Sequence, residues 1–393
     1  MIKRFFILLA GIICISGCAS VRYVVPEEKM LNASVSGMRD IRAFGGIPSA
    51  VFQSDVVSLL KKNTGNNPFS IFYSNQNNYV LAISGGGAYG AYGAGLLNGW
   101  SAAGTRPEFK VVTGVSTGAI IAPFAFLGSE YDGQLREFYT KHSTRDVFRM
   151  VFPFKNALSK TWPLKKLIDK YFDEKLLKAV AKEYAAGRRL YVGTTNLDAQ
   201  RLVIWDMGKI ASYGGEEGLK LFREVILASS SIPIAFPPVY IHVAADNKVY
   251  DEMHVDGGVV KQVFFLYDVL QGIEKLAKDN GTDITRGKYV IYVIRNGYAD
   301  PAWKEVPDSL MSIAERAVDT MVNSQSLGDI YQLYTFTKLG KGDFNLAYIP
   351  ATHKYNAKEM FDPKEMNDLF DLGFGEAVRG YEWKKIPPGL EQQ

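Results

Sequence analysis

Phe109-Lys110-Val111-Val112-Thr113-Gly114-Val115-Ser116-Thr117-Gly118 is the stretch whose reading decides the fold. Residues 109–113 form a short apolar and β-branched run that reads as a strand, and residues 117–127 continue as a helical pattern. Between them, the G-x-S-x-G spacing of Gly114, Ser116 and Gly118 describes a sharp strand-to-helix turn. Such a turn pushes the serine into a strained, exposed position, and the flanking glycines keep backbone and neighbours clear of it. Taken alone, the five residues are equally a tight turn in which Ser or Thr caps a helix. Their placement between a strand and a helix favours a nucleophile.

Working outward, residues 79–83 read as a strand and 91–103 as a first helix in spite of its glycines. Helical patterns follow at 134–142 and 164–184, strands at 190–194 and 202–206, a helix at 219–229 and a strong strand at 289–294. This alternation predicts an α/β fold built on parallel strands. The remainder looks largely helical, over 308–339 and 363–383. No linker, repeat or low-complexity segment interrupts these elements, so residues 79–393 are expected to form one domain. Residues 18–78 hold a short helical pattern at 51–62 and a turn-rich run at 63–78, which reads as a tether with a helix packed on it.

The first residues are expected to be a secretory signal, 1–17. Lys3 and Arg4 supply the positive start, and the apolar run at 5–15 is too short to cross a bilayer comfortably. Ile15-Ser16-Gly17-Cys18 resembles the bacterial lipobox, in which the cysteine is diacylated and becomes the new N-terminus. Cys14 would leave with the signal, so the mature chain would hold no disulfide. Lipid on Cys18 would make a membrane the first partner, each buried methylene contributing about 0.8 kcal/mol. Ala19 follows in the position where an aspartate would suggest inner-membrane retention, which points to the outer membrane facing the periplasm. The other reading of this segment is an ordinary cleaved signal or a short anchor. Apolar residues make up 47% of the chain and charged residues 22%, which describes a folded body rather than a disordered or multi-span one. A net charge of +4 with no basic run beyond short pairs argues against a nucleic-acid partner.

The second glycine-rich stretch, Ser84-Gly85-Gly86-Gly87-Ala88-Tyr89-Gly90, directly follows the strand at 79–83. Consecutive glycines allow several N–H groups to face one cavity, which suits the negative oxygen that develops on an attacked carbonyl. Gly85, Gly86, Gly87 and Ala88 are therefore the candidate oxyanion hole, where each donor is worth about 3 to 4 kcal/mol in other serine hydrolases. Gly85, Gly87 and Gly90 also match the dinucleotide-binding spacing. Against that, Glu108 lies at the expected distance but does not end a convincing second strand, and nicotinamide cofactors are scarce outside the cytoplasm. No cofactor is expected, and no clustered His or Cys suggests a metal.

A serine hydroxyl needs a base, usually histidine. Among the four histidines, His142 ends a charged helical pattern, His242 lies in an apparent strand and His353 follows a loop, so each reads as surface or packing. His254 stands two residues before Asp256, and alternation points both to one side, so it could tune a site without being its base. Asp256, followed by Gly257 and Gly258, has the close backbone approach a site residue needs, although alone it is no better than an Asp-Gly turn.

Together, Gly85-Gly86-Gly87, Gly114-x-Ser116-x-Gly118 and Asp256-Gly257-Gly258, in this order, resemble the patatin-like phospholipases. Ala228-Ser229-Ser230-Ser231-Ile232-Pro233 with Phe236-Pro237-Pro238 looks like that family's segment before its aspartate, so the resemblance covers residues 79–258. It implies a three-layer α/β/α fold with a mainly parallel central sheet, and a Ser-Asp dyad acting on lipid esters. Ser116 would be the nucleophile, Asp256 the proton acceptor, and the loop amides the oxyanion hole. Two departures stand out: Ser84 and Ala88 occupy positions where many members carry an acidic and a basic residue. Loss of the basic side chain removes one phosphate contact, and Ser84 is expected to hydrogen-bond within the loop instead. The rival readings are an esterase of soluble esters or thioesters, and a lipid-anchored scaffold without turnover.

Overall fold

The computed structural model describes residues 22–50, 52, 78–147, 163–233, 235–265, 289–301, 303–354 and 356–390. The expected signal segment, Cys18 and nearly all of the 51–62 helical pattern lie outside the described residues.

The strands are β1 (Ser34–Val35), β2 (Arg42–Phe44), β3 (Asn78–Ile83), β4 (Val111–Val115), β5 (Arg189–Asn196), β6 (Arg201–Asp206), β7 (Val239–Ala245), β8 (Lys248–Asp256), β9 (Tyr289–Tyr298) and β10 (Asp343–Ile349). The longer helices are α1 (Gly90–Ala102), α2 (Thr117–Leu127), α3 (Asp132–Thr140), α4 (Pro163–Tyr171), α5 (Glu174–Ala185), α6 (Met207–Tyr213), α7 (Gly215–Ser229), α8 (Leu310–Leu339) and α9 (Pro363–Val378).

All ten strands among the described residues join one sheet, with helices layered on both of its faces. Its centre, β5-β4-β3-β9-β10, is parallel throughout. Every residue of β5 is buried, as is most of β3 and β4, because helices cover both faces. One face packs under α1, α2, α7 and α9, and the other under the C-terminal half of α8 through Ile330 and Leu333.

The glycines of α1 are explained by a helix seam. A Cβ at Gly95 would lie 2.0 Å from Phe370 O, and one at Gly99 would lie 2.3 Å from Phe374 O. From the other side, a Cβ on Gly373 would meet Tyr92 O at 2.4 Å. The residues that weaken helix propensity therefore let α1 and α9 touch backbone to backbone.

The antiparallel flank was not expected from the sequence. β6 occupies one edge of β5 along its length, from Tyr191↔Asp206 to Asn196↔Arg201. On the other edge β4 pairs up to Val115↔Gly193, and β8 takes over at Thr194↔Asp256. Two strands thus abut end to end along β5, and the last residue of each arrives beside the other. β7 pairs with β8, and β1 with β7.

Residues 22–44, read as part of a tether, are instead built into the body. β1 and β2 pair with β7 and β6, and Arg22 makes a two-pronged ion pair with Asp198. Short as these strands are, Val35, Ile41 and Phe44 bury their side chains in the core, which holds the segment down. Two other elements differ from expectation. The 164–184 pattern breaks into α4 and α5 where the Asp173 carboxylate caps Leu176 N–H at 2.8 Å. The C-terminal part is not wholly helical, because β10 follows α8 and pairs with β9.

Candidate active site

β4 ends at Val115, and Ser116 takes φ 55° and ψ −125° before α2 begins. A non-glycine residue there is strained, so the surroundings must over-determine it. They do: Ser116 N–H donates to Ser229 Oγ at 2.9 Å, and Ser230 Oγ donates to Ser116 O at 3.3 Å. Both flanking glycines are needed for closeness. A Cβ on Gly114 would sit 2.3 Å from Gly118 O, and one on Gly118 would sit 2.3 Å from Ile83 O. Thr117 adds a side anchor, its hydroxyl bonded to the Tyr139 hydroxyl, which also reaches Thr117 O at 3.1 Å.

Ser116 Oγ donates to Asp256 Oδ2 at 2.5 Å. Asp256 Oδ1 accepts Gly258 N–H at 2.7 Å, and Asp256 N–H is held by Ser231 O at 2.9 Å. Burial pushes the Asp256 carboxyl up to about 7, against the bonds from Ser116 and Gly258 that lower it. A carboxylate at that level is a far better proton acceptor than one in water. Gly257 must be bare, since a Cβ would lie 2.3 Å from Gly193 O.

The glycine loop lies over the same serine. Gly86 takes φ 151° and Gly87 φ 55°, and a Cβ on Gly86 would reach within 2.0 Å of Asn296 O. Gly85 N–H donates to Gln262 O at 3.0 Å, which removes Gly85 from the expected set of oxyanion donors. Its part is closeness, a Cβ there falling 3.2 Å from Ser116 Cβ. Gly86, Gly87 and Ala88 lead into a short 3-10 turn, and among the described residues their N–H groups have no backbone acceptor. Ser84 acts within the loop as expected, donating to Gly85 O at 2.7 Å and accepting from Asn296 N–H at 2.9 Å. Asn296 itself carried no signal in the sequence.

A pocket opens beside Ser116 and Gly87, walled by Ile120, Phe138, Leu164, Ile232, Phe236 and Met366. These walls are apolar and suit a hydrocarbon chain. His142, read from sequence as surface or packing, also lines the pocket and bonds Tyr171 OH at 3.0 Å. His254 is fully buried on the far side of Asp256, its Nδ1 against Thr194 Oγ1 at 2.9 Å and its Nε2 against Glu252 Oε2 at 3.1 Å. Trp205 Nε1–H already donates to Thr194 Oγ1, so the threonine proton goes to His254 Nδ1. A neutral histidine donating through Nε2 to Glu252, itself paired with Arg42, satisfies every partner. Both ring nitrogens of His254 are thus committed away from Ser116 and the Asp256 carboxyl. His242 pairs with Asp251 at an exposed position.

The dinucleotide reading fails on geometry. Glu108 precedes β4, whereas the glycine loop follows β3, and these strands run parallel, so the two lie at opposite edges of the sheet.

A serine hydroxyl on a buried carboxylate, under a glycine loop at the carboxyl edge of parallel strands, defines the class of site. The family model described as patatin-like phospholipase matches residues 81–267. The chain is 30% identical over 261 residues to the cUMP-AMP-activated phospholipase of Escherichia coli, covering 64% of this chain and 76% of that protein. It belongs to the patatin-like phospholipase family. Among solved structures it is similar to VipD from Legionella pneumophila, with 12% identity and a TM-score of 0.34 over 77% of this chain and 66% of that one. ExoU of the Pseudomonas aeruginosa type III secretion system, solved with SpcU, gives 14% identity and a TM-score of 0.31 over 77% and 52%.

Proposed function

We propose that the protein is a lipid acyl hydrolase of phospholipase A type, working through a Ser116–Asp256 dyad and an acyl-enzyme. The observation that carries this reading is the 2.5 Å bond from Ser116 Oγ to the buried Asp256 carboxyl. Asp256 takes the hydroxyl proton as Ser116 Oγ attacks the ester carbonyl. The carbonyl oxygen becomes negative within reach of the Gly86, Gly87 and Ala88 amides and the N-terminus of α2, which together offset that charge. Collapse breaks the bond to the alcohol, which leaves with the proton from Asp256. Water then enters, gives its proton to Asp256, and attacks the acyl-enzyme. Ser116 recovers the proton as the fatty acid departs. The apolar pocket beside Ser116 supports an acyl chain rather than a small polar ester.

A lipid-like fluorophosphonate tests the assignment. Label on Ser116, abolished in folded Asp256→Ala, is expected; attachment to any other residue would overturn it. Cys18 is read as diacylated, holding the protein at the outer membrane facing the periplasm, and the support for this is the Ile15-Ser16-Gly17-Cys18 motif. Incorporation of labelled palmitate that disappears in Cys18→Ala is the corresponding check.

A further inference from the structure

α8 is a helix of two halves. Its C-terminal half lies on the sheet, tied to the start of β9 by Tyr289 OH at 3.2 Å from Phe336 O. Its middle is fixed by Asp329, which accepts Gln262 N–H at 2.8 Å, and by Gln325 bonded to Val260 O. N-terminal to Gln325 most of the helix is exposed, with Asp319 on its polar side near Tyr89 of the glycine loop, and the fifteen residues back to Leu310 extend about 22 Å at 1.5 Å per residue. The direction is past the carboxyl ends of β3, β4 and β9, the edge that holds Ser116 and the glycine loop.

This projecting half is amphipathic. At 100° per residue Leu310, Ile313, Val318 and Met321 share one side, while Ser312, Arg316 and Asp319 share the other. The apolar side faces outward: Leu310 is 88% exposed and Met321 63%, and Trp303, in the segment leading to the helix, is 90% exposed. Val259, three residues after Asp256, is exposed at the same edge. Isolated exposed leucines need no account, but an aligned apolar ridge at the sheet edge that holds Ser116, with an exposed indole in the segment before it, does.

We propose that this face, the N-terminal half of α8 with Trp303, docks on a lipid surface and sets the Ser116 pocket against it. The proposal rests in part on the lipid-hydrolase reading. Three observations choose a bilayer over a second copy of the chain. The ridge is convex and a single helix wide, with too few side chains for a stable dimer, which needs about 800 Å² from each partner. An exposed tryptophan in the segment leading to an amphipathic helix suits the boundary between headgroups and acyl chains. Arg22, only four residues after Cys18, is fixed to Asp198 just beyond the end of β5, the same edge. A lipid on Cys18 and the α8 ridge would therefore meet one membrane together. No described helix is long and apolar enough to cross a membrane, so the ridge would lie on the surface.

The test uses the full chain with Ser116→Ala, so that lipid persists, and phosphatidylcholine vesicles carrying brominated acyl chains. Tryptophan quenching is expected in this protein, lost when Trp303→Phe is added and lost in Leu310→Gln/Ile313→Gln/Met321→Gln. With Ser116 intact, the triple variant should cleave a soluble monomeric ester within about twofold of wild type and vesicle lipid at least tenfold more slowly. Quenching that survives Trp303→Phe unchanged, or survives the triple substitution, overturns the proposal. A wild-type mass of two chains that falls to one in the triple variant, with no quenching in either, assigns the face to a second copy and also overturns it. Quenching that depends on Trp303 in a protein that cleaves no ester leaves the docking face standing and removes the hydrolase reading alone.

Discussion

Ser229 Oγ accepts the N–H of Ser116 at 2.9 Å and donates its own O–H to Gly193 O at 2.7 Å. One hydroxyl thereby ties the strained residue of the elbow to β5. Ser229→Ala leaves a buried donor and a buried acceptor unmatched, which should destabilise the fold by about 2 kcal/mol. The rate should fall more in kcat than in KM, since the Ser116 torsion rather than the pocket is released. Denaturant melts and steady-state kinetics check both; an unchanged melt would show that the bridge contributes nothing.

The Asp256 carboxyl titrates near 7 in the fold, so activity has a direction with pH. In the proposed dyad the base is the ionised form, so kcat/KM should climb about tenfold per pH unit below 7 and level off above it. A profile flat from pH 5 to 8 would exclude Asp256 as proton acceptor.

The same carboxyl costs stability. Its value is raised above that of the unfolded chain, about 3.9, so the fold holds a proton there that the unfolded chain has released. Stability from this group is present below about pH 4 and is lost as pH rises through about 7. Asp256→Asn removes the buried charge, and the variant should exceed wild type by up to about 4 kcal/mol at pH 8. The gap should close by pH 4. Equal melting temperatures at pH 8 would refute the burial argument.

Gly86 and Gly87 separate two kinds of requirement. A side chain at Gly86 collides with Asn296 O, whereas at Gly87 a Cβ meets nothing within 4 Å and only the φ of 55° is unfavourable. Gly87→Ala should lose about 1 to 2 kcal/mol, and Gly86→Ala should lose more together with most of the activity. The reverse order in thermal melts would contradict the close approach seen here.

Glu252, fully buried with Arg42 and His254, titrates near 2: burial pushes it up, but the Arg42 charge and the His254 bond pull it further down. A depressed carboxyl contributes stability above its unfolded value, lost as pH falls toward 2. Glu252→Gln strands the Arg42 charge and should cost about 3 to 5 kcal/mol, while Arg42→Met/Glu252→Leu should recover most of it. A double-mutant cycle with no coupling would remove the pair from the account of how β2 is held.

The strand–elbow–helix unit was legible in the sequence because each signal there is local. Residues 117–127 are a helix with those bounds, and β3 differs by one residue. The elements that escaped depend on distant partners. β8 reads as polar because only its final residues are buried, and β10 is a short apolar run that could belong to either kind of element. Residues 22–44 looked like a tether because two- and three-residue strands show no period. Ser116 and the glycine loop could be named from spacing, and Asp256 only through the resemblance of the ordered motifs to a family. What could not be read was that Gly85 commits its N–H to Gln262, or that Asn296 sits beneath Gly86.

The end-to-end meeting of β4 and β8 along β5 has a consequence for when the molecule can act. Ser116 and Asp256 are separated by 140 residues and approach from opposite directions. A chain still emerging, or one cut before the second strand closes, carries the Ser116 hydroxyl without the carboxyl it bonds. The paired hydroxyl and carboxylate are thus a property of the completed sheet, and a half-assembled chain does not yet hold them together.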